Sequence, residues 1–166
     1  MAFIRTKKIN GKEYAYLAEN RWLKTKKQPK QKVRAYLGRV ISPDIKEEME
    51  DISFYDYKGV HDAESYVSEK SREDIIQDLI RFEIKKHECG NIKFMHDKGS
   101  LKSKNRNVVL KINDGFLCSH TIQELLSLQS QGDEEEFGIE LAKAFVNAGI
   151  AVPREIFVGF FSKIFK

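Results

Sequence analysis

Apolar and polar residues alternate along the first forty residues, which is the pattern of β-strands that have one buried face. The segments FIRTKKI and KEYAYLAENRW alternate in this way and flank Asn10-Gly11, a dipeptide that favours a two-residue type I′ turn. The turn predicts an antiparallel hairpin over residues 3–22 with a fixed register. Its expected opposite pairs are Ile9 and Lys12, Lys8 and Glu13, Lys7 and Tyr14, Arg5 and Tyr16, and Ile4 and Leu17.

A third alternating segment, Lys32 to Val40, follows a polar and basic loop, LKTKKQPKQ. If this strand pairs with the second one, its apolar side joins one face of the hairpin to make a core face. That core face is expected to carry Ile4, Thr6, Ala15, Leu17, Val33, Ala35 and Leu37. The opposite face is expected to carry Arg5, Lys7, Lys12, Tyr14, Tyr16, Lys32, Arg34 and Tyr36.

Helical spacing of apolar residues dominates the later parts of the chain. Residues 71–86 predict an amphipathic helix with a wide apolar stripe, which we expect to pack against the core face of the hairpin. Three more helices are predicted, beginning at Thr121, at Gly132-Asp133 and at Pro153, with Gly149 just after the end of the second. The apolar side of the last helix (Ile156, Phe157, Phe160, Phe161, Ile164) predicts core packing, with a partner or dimer surface as the alternative.

These elements predict an α+β fold in four segments. Residues 1–40 form a basic three-stranded β module, and residues 41–70 are expected to be an acidic linker in which a short helix runs from Ser42 through Met49. Residues 71–118 supply the amphipathic helix and two strands, at 92–97 and 107–112, that are separated by the basic loop KGSLKSKNR. Residues 119–166 are expected to form a helical subdomain.

Composition narrows the class of protein. The chain has 166 residues, of which 41% are hydrophobic, too many for a disordered protein. No apolar run approaches the roughly 18 residues that cross a bilayer, and no secretory signal is visible, so we expect a cytoplasmic protein without membrane contact. Two cysteines provide no disulfide framework.

Charge is distributed in alternating blocks. Residues 1–40 hold 12 Lys/Arg and 2 Asp/Glu, whereas residues 41–79 hold 4 and 12. Residues 80–113 hold 9 and 3, and residues 114–166 hold 4 and 8. A strongly basic segment is typical of proteins that bind a polyanion such as a phosphate backbone. The alternative is that the first block neutralises the second.

Tyrosines among cations on one β face indicate nucleic-acid binding, because phenol rings stack on bases while cations contact phosphates. The alternatives are a solvated surface with a cation–π pair between Arg5 and Tyr16, or tyrosines buried under the rest of the protein. The flexible loop KGSLKSKNR could supply further phosphate contacts.

The N-terminal pattern also resembles a known family. Within EYAYLAENRW…KQKVRAYLGRV, the chain resembles the N-terminal segment that precedes the catalytic core in DDE-class insertion-element transposases. The resemblance is confined to residues 13–40, and the remainder is too short for an RNase H-like catalytic domain. It implies a shared nucleic-acid-associated module without transposition. The matching residues are Tyr14, Tyr16, Leu17, Glu19, Arg21, Lys32, Val33, Arg34, Tyr36, Leu37, Gly38 and Arg39.

Two other kinds of site, a zinc site and a nuclease site, are only partly matched by the sequence. The sequence contains an H-x-C pair and a C-x-H pair, formed by His87, Cys89, Cys118 and His120. Structural zinc sites separate paired ligands by two to four residues, whereas one residue intervenes in each pair here. We therefore expect no metal or cofactor, although the sequence leaves zinc binding by these four residues open. Asp44, Glu83 and Lys85 resemble the carboxylates and lysine of metal-dependent nucleases. That site needs Glu83 and Lys85 on a strand, whereas they fall in the predicted helix 71–86.

The sequence therefore predicts a non-catalytic accessory protein that binds nucleic acid, either RNA in a ribonucleoprotein or DNA. The alternative is a protein–protein adaptor that docks through its charge blocks and its phenylalanine-rich last helix. Bases are expected to stack on Tyr14, Tyr16 and Tyr36. Phosphate contacts are expected from Arg5, Lys7, Lys12, Lys24, Lys26, Lys27, Lys32, Arg34, Arg39, Lys102, Lys104 and Arg106.

Overall fold

Strands and helices are segregated along the chain in the α+β manner that the sequence predicts, in a computed structural model that describes residues 1–165. The strands are β1 (Ala2–Ile9), β2 (Lys12–Leu23), β3 (Gln28–Ile41), β4 (Lys93–Met95), β5 (Ser100–Ser103), β6 (Arg106–Ile112) and β7 (Gly115–Leu117). The helices are α1 (Phe54–Lys58), α2 (Ala63–Glu69), α3 (Arg72–Lys86), α4 (Ser119–Ser127), α5 (Glu134–Asn147) and α6 (Arg154–Ile164).

The strands form a mixed sheet with the order β1-β2-β3-β6-β5-β4. All pairings are antiparallel except the one between β3 and β6, where Arg39–Ile41 lie beside Val108–Leu110. The strands β5 and β7 pair with opposite ends of β6. The first three strands therefore share one sheet with strands that follow more than fifty residues later in the chain.

The β1–β2 hairpin has the turn and the register that the sequence predicts. Asn10 and Gly11 have φ of 51° and 74°, the left-handed values that a type I′ turn requires at both central residues. Opposite pairs run from Ile9 and Lys12 to Ala2 and Glu19, and they include every pair predicted from the turn. The Asn-Gly dipeptide thus determines which side chains share a face.

The third strand is longer than predicted. It begins at Gln28 rather than Lys32, so most of the expected loop belongs to β2 and β3, and only residues 24–27 form the turn. Pro29 lies inside the strand opposite Trp22. A proline is tolerated more readily there because β3 has no partner strand on its other side at this point, and proline is confined largely to such free edges.

Two apolar clusters lie on opposite faces of the sheet. The larger one joins the helices to β6, with Ile75, Leu79, Leu110, Phe145 and Phe160 among its buried members. The smaller one contains Ala15, Leu37, Val40, Val109 and Cys118, with Ile4, Leu17 and Phe116 against it. The buried residues of α3 belong to the larger cluster, so the expectation that α3 covers the Ile4 and Leu17 face is wrong.

Residues 41–70 are part of the folded core rather than a linker. Met49, Phe54, Tyr66 and Val67 from this segment are buried in the larger cluster. The helix expected from Ser42 through Met49 is replaced by a single 3-10 turn, Glu47–Met49. The aromatic residues in this acidic stretch explain the difference, because they supply enough apolar surface to pack short helices.

The C-terminal helices form where their end signals predict. Asp133 caps α5 by accepting a hydrogen bond from the backbone of Glu136, and Pro153 lies immediately before α6, one position earlier than expected. Helix α4 begins two residues before Thr121, which instead donates back to the carbonyl of Phe116. Ile156 and Phe160 of α6 are fully buried, so the prediction of a core-facing last helix is confirmed.

Candidate nucleic-acid interface

Three tyrosine rings lie together on one face of the N-terminal strands. The ring centroid of Tyr36 is 5.4 Å from that of Tyr16 and 6.3 Å from that of Tyr14. Tyr36 is 54% exposed, while Tyr14 and Tyr16 are half-buried. The rings therefore present a compact aromatic surface to solvent rather than filling the core.

Register explains why the rings meet. Tyr16 lies directly opposite Arg5 on β1 and opposite Tyr36 on β3, and side chains of directly opposite residues share a face. Tyr14 lies two residues away on the same strand, opposite Lys7 and Arg39. The predicted grouping of three tyrosines is present, and each is adjacent to a cationic residue.

Irregular pairing in β3 changes which residues join them. The register shifts between Ala15 and Tyr16, and again between Leu17 and Ala18, so that two residues of β3, Leu37 and Arg34, have no direct partner on β2. Relative to Tyr36, the shift at Arg34 moves the earlier residues of β3 to the other face. Val33 consequently lies opposite Ala18 on the side of the tyrosines, where the sequence predicts it on the core side.

Lys32 and Arg34 are therefore wrongly placed by strict alternation. Lys32 lies opposite Glu19, and the guanidinium Nη1 of Arg34 is 3.3 Å from a Glu19 carboxylate oxygen. Arg21 also donates to Glu19 at 2.6 Å, and this hydrogen bond is the main reason that the pKa of Glu19 is lowered. Glu19 follows Ala18 along β2, so this ionic cluster occupies the face opposite to the tyrosines.

The cations that do share the tyrosine side come from four strands, β1, β2, β3 and β6. Lys7 and Lys12 lie near the Asn10-Gly11 turn, Arg39 lies opposite Tyr14, and all three are exposed without an ion pair among residues 1–165. Arg5 is exposed and donates to the side-chain amide oxygen of Gln31. We call this surface the tyrosine face: Tyr14, Tyr16, Tyr36, Arg5, Lys7, Lys12, Arg39 and Arg106.

Arg106 reaches the tyrosine face through the parallel β3–β6 pairing. Burial and the neighbouring Tyr14 and Tyr16 raise the pKa of Tyr36, and the charge of Arg106 opposes this rise. A raised pKa favours the neutral phenol, which adds no negative charge beside a phosphate backbone. Gly38 permits the close strand approach, since a Cβ at this position would lie 2.5 Å from the carbonyl oxygen of Asn107.

The second basic segment is ordered rather than a flexible loop. Residues 100–103 form β5, and Lys104-Asn105 form a two-residue turn in which both φ values are positive, 49° and 62°. Lys102 lies opposite Asn107, one residue after Arg106, and therefore points to the other face of the sheet. Of the three cations predicted here, Arg106 joins the tyrosine face, Lys104 lies exposed at the turn, and Lys102 does not join it.

Lys24, Lys26 and Lys27 lie at the exposed tip of the β2–β3 hairpin. Trp22, near this tip, was not among the predicted site residues, although it is 63% exposed and opposite Pro29. Trp22 has the same parity along β2 as Tyr14 and Tyr16. The alternation that identifies the tyrosines therefore also contained the signal for Trp22.

Glu83, which the sequence places in a nuclease-like set of residues, lies outside the tyrosine face. Glu83 is 1% exposed on α3, where it accepts hydrogen bonds from the backbone of Ala151 and the side chain of Asn113, each at 3.0 Å. Burial is the main reason that its pKa is raised. Within residues 1–165, no three His, Cys, Asp or Glu side chains are grouped so that they could hold a metal ion.

Comparison with known proteins adds no relative. No family model, curated protein or solved structure matches the chain. In the described part of the chain, no helix combines the length and the apolar character needed to cross a membrane.

Proposed function

We propose that this protein is a non-catalytic accessory protein that binds RNA or DNA through the tyrosine face, acting in the cytoplasm. The observation that carries the proposal is the grouping of three tyrosine rings, in which the Tyr36 centroid lies 5.4 Å from that of Tyr16 and 6.3 Å from that of Tyr14. Exposed cations from β1, β2, β3 and β6 border this grouping. Aromatic rings bind bases by stacking, and the cations bind the phosphate backbone. The resemblance of residues 13–40 to a transposase segment supports the same class of ligand.

Salt dependence tests the proposal. Affinity for an oligonucleotide should fall steeply with salt, with a slope of log K against log salt that grows by roughly 0.7–0.9 for each phosphate contact. The variant Lys7→Gln, Lys12→Gln, Arg39→Gln should therefore flatten the slope by roughly 2–3. A matched control removes three exposed lysines outside the tyrosine face, with Lys85→Gln, Lys111→Gln, Lys143→Gln, and should leave the slope nearly unchanged.

Two results would contradict the proposal. One is the absence of binding at low salt, and the other is an equal effect of the two triple variants on the slope. The alternative function, a protein–protein adaptor, relied partly on the phenylalanines of α6 as a docking surface. These phenylalanines pack against the protein's own core, so they do not favour that alternative. Purification from native cells with and without nuclease treatment distinguishes the two functions, since partners of an adaptor should persist after the nucleic acid is digested.

A further inference from the structure

The β2–β3 hairpin extends beyond the sheet as a two-stranded arm. The last pair between β1 and β2 is Ala2 and Glu19, whereas β2 and β3 stay paired as far as Leu23 and Gln28. We call residues 20–31 the ribbon arm. Every residue in it is exposed except Leu23, which is half-buried.

The ribbon arm carries positive charge without acidic residues. Its cations are Arg21, Lys24, Lys26, Lys27 and Lys30, and it contains no Asp or Glu. Arg21 pairs with Glu19 at the base of the arm, whereas the four lysines make no ion pair among residues 1–165. The complement of such a surface is a polyanion.

Trp22 gives the arm an aromatic surface of its own. It is the single tryptophan of the chain, and with 63% of its surface exposed it does not fill the core. Residues 18–23 of β2 pair continuously with β3, so alternation places Trp22 on the same side as Tyr16. The hydrogen bond from Arg5 to Gln31 supports this assignment, because Gln31 lies opposite Asn20, between these two rings in sequence.

The tyrosine face and Trp22 are separated by a short stretch of the sheet surface. Trp22 lies six residues from Tyr16, which corresponds to about 20 Å along a strand. Between them lie Ala18, which is fully buried, and Val33, which is 53% exposed. At the spacing of about 3.4 Å between stacked nucleotides in one strand, this distance corresponds to about six nucleotides.

Exposed aromatic faces distinguish between single strands and duplexes. In a duplex the faces of the bases are stacked on each other and a protein meets only their edges, whereas unpaired bases can stack on aromatic side chains. We infer that the tyrosine face and the ribbon arm bind one single-stranded nucleic acid, whose bases stack on Tyr36 and Trp22 while the lysines of the arm contact its phosphates. This inference rests on the proposed function and names its substrate class.

The single tryptophan makes the inference directly measurable in the full chain. Oligothymidylate or oligouridylate of 12 nucleotides should quench Trp22 fluorescence, with the same midpoint as the rise in anisotropy of a labelled oligonucleotide. A three-nucleotide oligomer is too short to reach from the tyrosine face to Trp22 and should bind weakly. A 12-base-pair duplex should compete poorly and leave the fluorescence unquenched.

Two variants of Trp22 provide the matched comparison. Trp22→Ala should weaken binding of the 12-nucleotide oligomer by about 5- to 150-fold, the range for loss of one base–aromatic stack. Trp22→Phe keeps an aromatic ring and should retain most of the affinity. Both variants should keep the wild-type circular dichroism spectrum, because the exposed indole lies outside the two apolar clusters.

The outcomes separate the inference from the proposed function. If anisotropy shows binding while Trp22 fluorescence is unchanged and Trp22→Ala binds normally, the inference is overturned and the proposed function stands. Equal affinity for the duplex also overturns the inference. If no oligonucleotide binds at low salt, the proposed function itself fails.

Discussion

Substituting Gly38 tests the close approach of β3 and β6, which brings Arg106 beside Tyr36. Gly38 has φ of +141°, a conformation that L side chains rarely adopt. A Cβ there would lie 2.5 Å from the carbonyl oxygen and 2.8 Å from the carbonyl carbon of Asn107. These are backbone atoms of the neighbouring strand, so no side-chain rotation relieves the contact.

The expected cost of Gly38→Ala follows from these two effects. A strained backbone conformation costs about 1–3 kcal/mol, and crowding in a packed region costs about 1–3 kcal/mol more. The free energy of unfolding should therefore fall by about 2–6 kcal/mol, which corresponds to a decrease of roughly 5–20 °C in the melting temperature of a chain of this size. Urea denaturation followed by circular dichroism measures the change.

Gly90→Ala is the matched control for Gly38→Ala. Gly90 also has a positive φ, +60°, but an added Cβ would have no heavy atom within 4 Å. This variant carries backbone strain alone and should lose about 1–2 kcal/mol. If Gly38→Ala costs no more than Gly90→Ala, the close approach of β3 to β6 is refuted, and with it the placement of Arg106 beside Tyr36.

Two further predictions concern stability. Ser71→Ala removes the cap of α3 and should cost about 1 kcal/mol at pH 7. The hydrogen bond from the Ser71 hydroxyl lowers the pKa of the Asp74 carboxyl below its ordinary value in the folded state. The part of the stabilisation that this bond contributes is therefore present above the ordinary pKa and is lost as the pH falls through the folded pKa, whereas the hydrogen bond from the Asp74 backbone to Ser71 does not titrate. Urea denaturation at pH 7 and pH 3 should show the difference between Ser71→Ala and wild type shrinking in acid, and a constant difference would contradict this assignment. Phe160→Ala should lower the free energy of unfolding by about 3–5 kcal/mol because the ring is fully buried against Phe145. The control Val158→Ala, on the exposed side of α6, should change it by less than about 0.5 kcal/mol. Equal losses of stability in the two variants would contradict the packing of α6.

Local signals in the sequence predict the hairpin but not the exact faces of β3. The Asn10-Gly11 turn determines the β1–β2 register by itself, because both central residues must adopt positive φ. The two register shifts in β3 have no such local signal. Leu37 lies at one of them and is buried in the smaller cluster together with Val109 of β6, a tertiary grouping that alternation within residues 1–40 does not contain. Strict alternation therefore placed Val33 and Arg34 on the wrong faces.

The pairing of β6 with β3 is a second feature that the sequence does not predict. The strand itself is predicted within one residue, at 107–112 against Arg106–Ile112. Its parallel pairing with β3 joins segments more than sixty residues apart, and nothing in either segment specifies the other. Arg106 was consequently predicted as part of a flexible loop rather than as a neighbour of Tyr36.

One hairpin turn that was not predicted has a local signal in the sequence. Asn113-Asp114 precedes Gly115 and has φ of 47° and 63°, as a type I′ turn requires. The turn closes the β6–β7 hairpin, whose second strand was not predicted. Apolar spacing, by contrast, identified α3, α5 and α6 within one or two residues, since each is long and periodic enough for end signals to locate its ends.

The account's central claim is that the exposed ring of Tyr36 binds a base of a nucleic acid. The most direct measurement is the affinity of Tyr36→Ala for a 12-nucleotide single strand at low salt, beside Tyr57→Ala, which truncates a tyrosine of α1 that is 37% exposed. The account predicts that Tyr36→Ala binds about 5- to 150-fold more weakly with an unchanged salt slope, and that Tyr57→Ala binds like the wild type. Wild-type affinity for Tyr36→Ala would contradict the account.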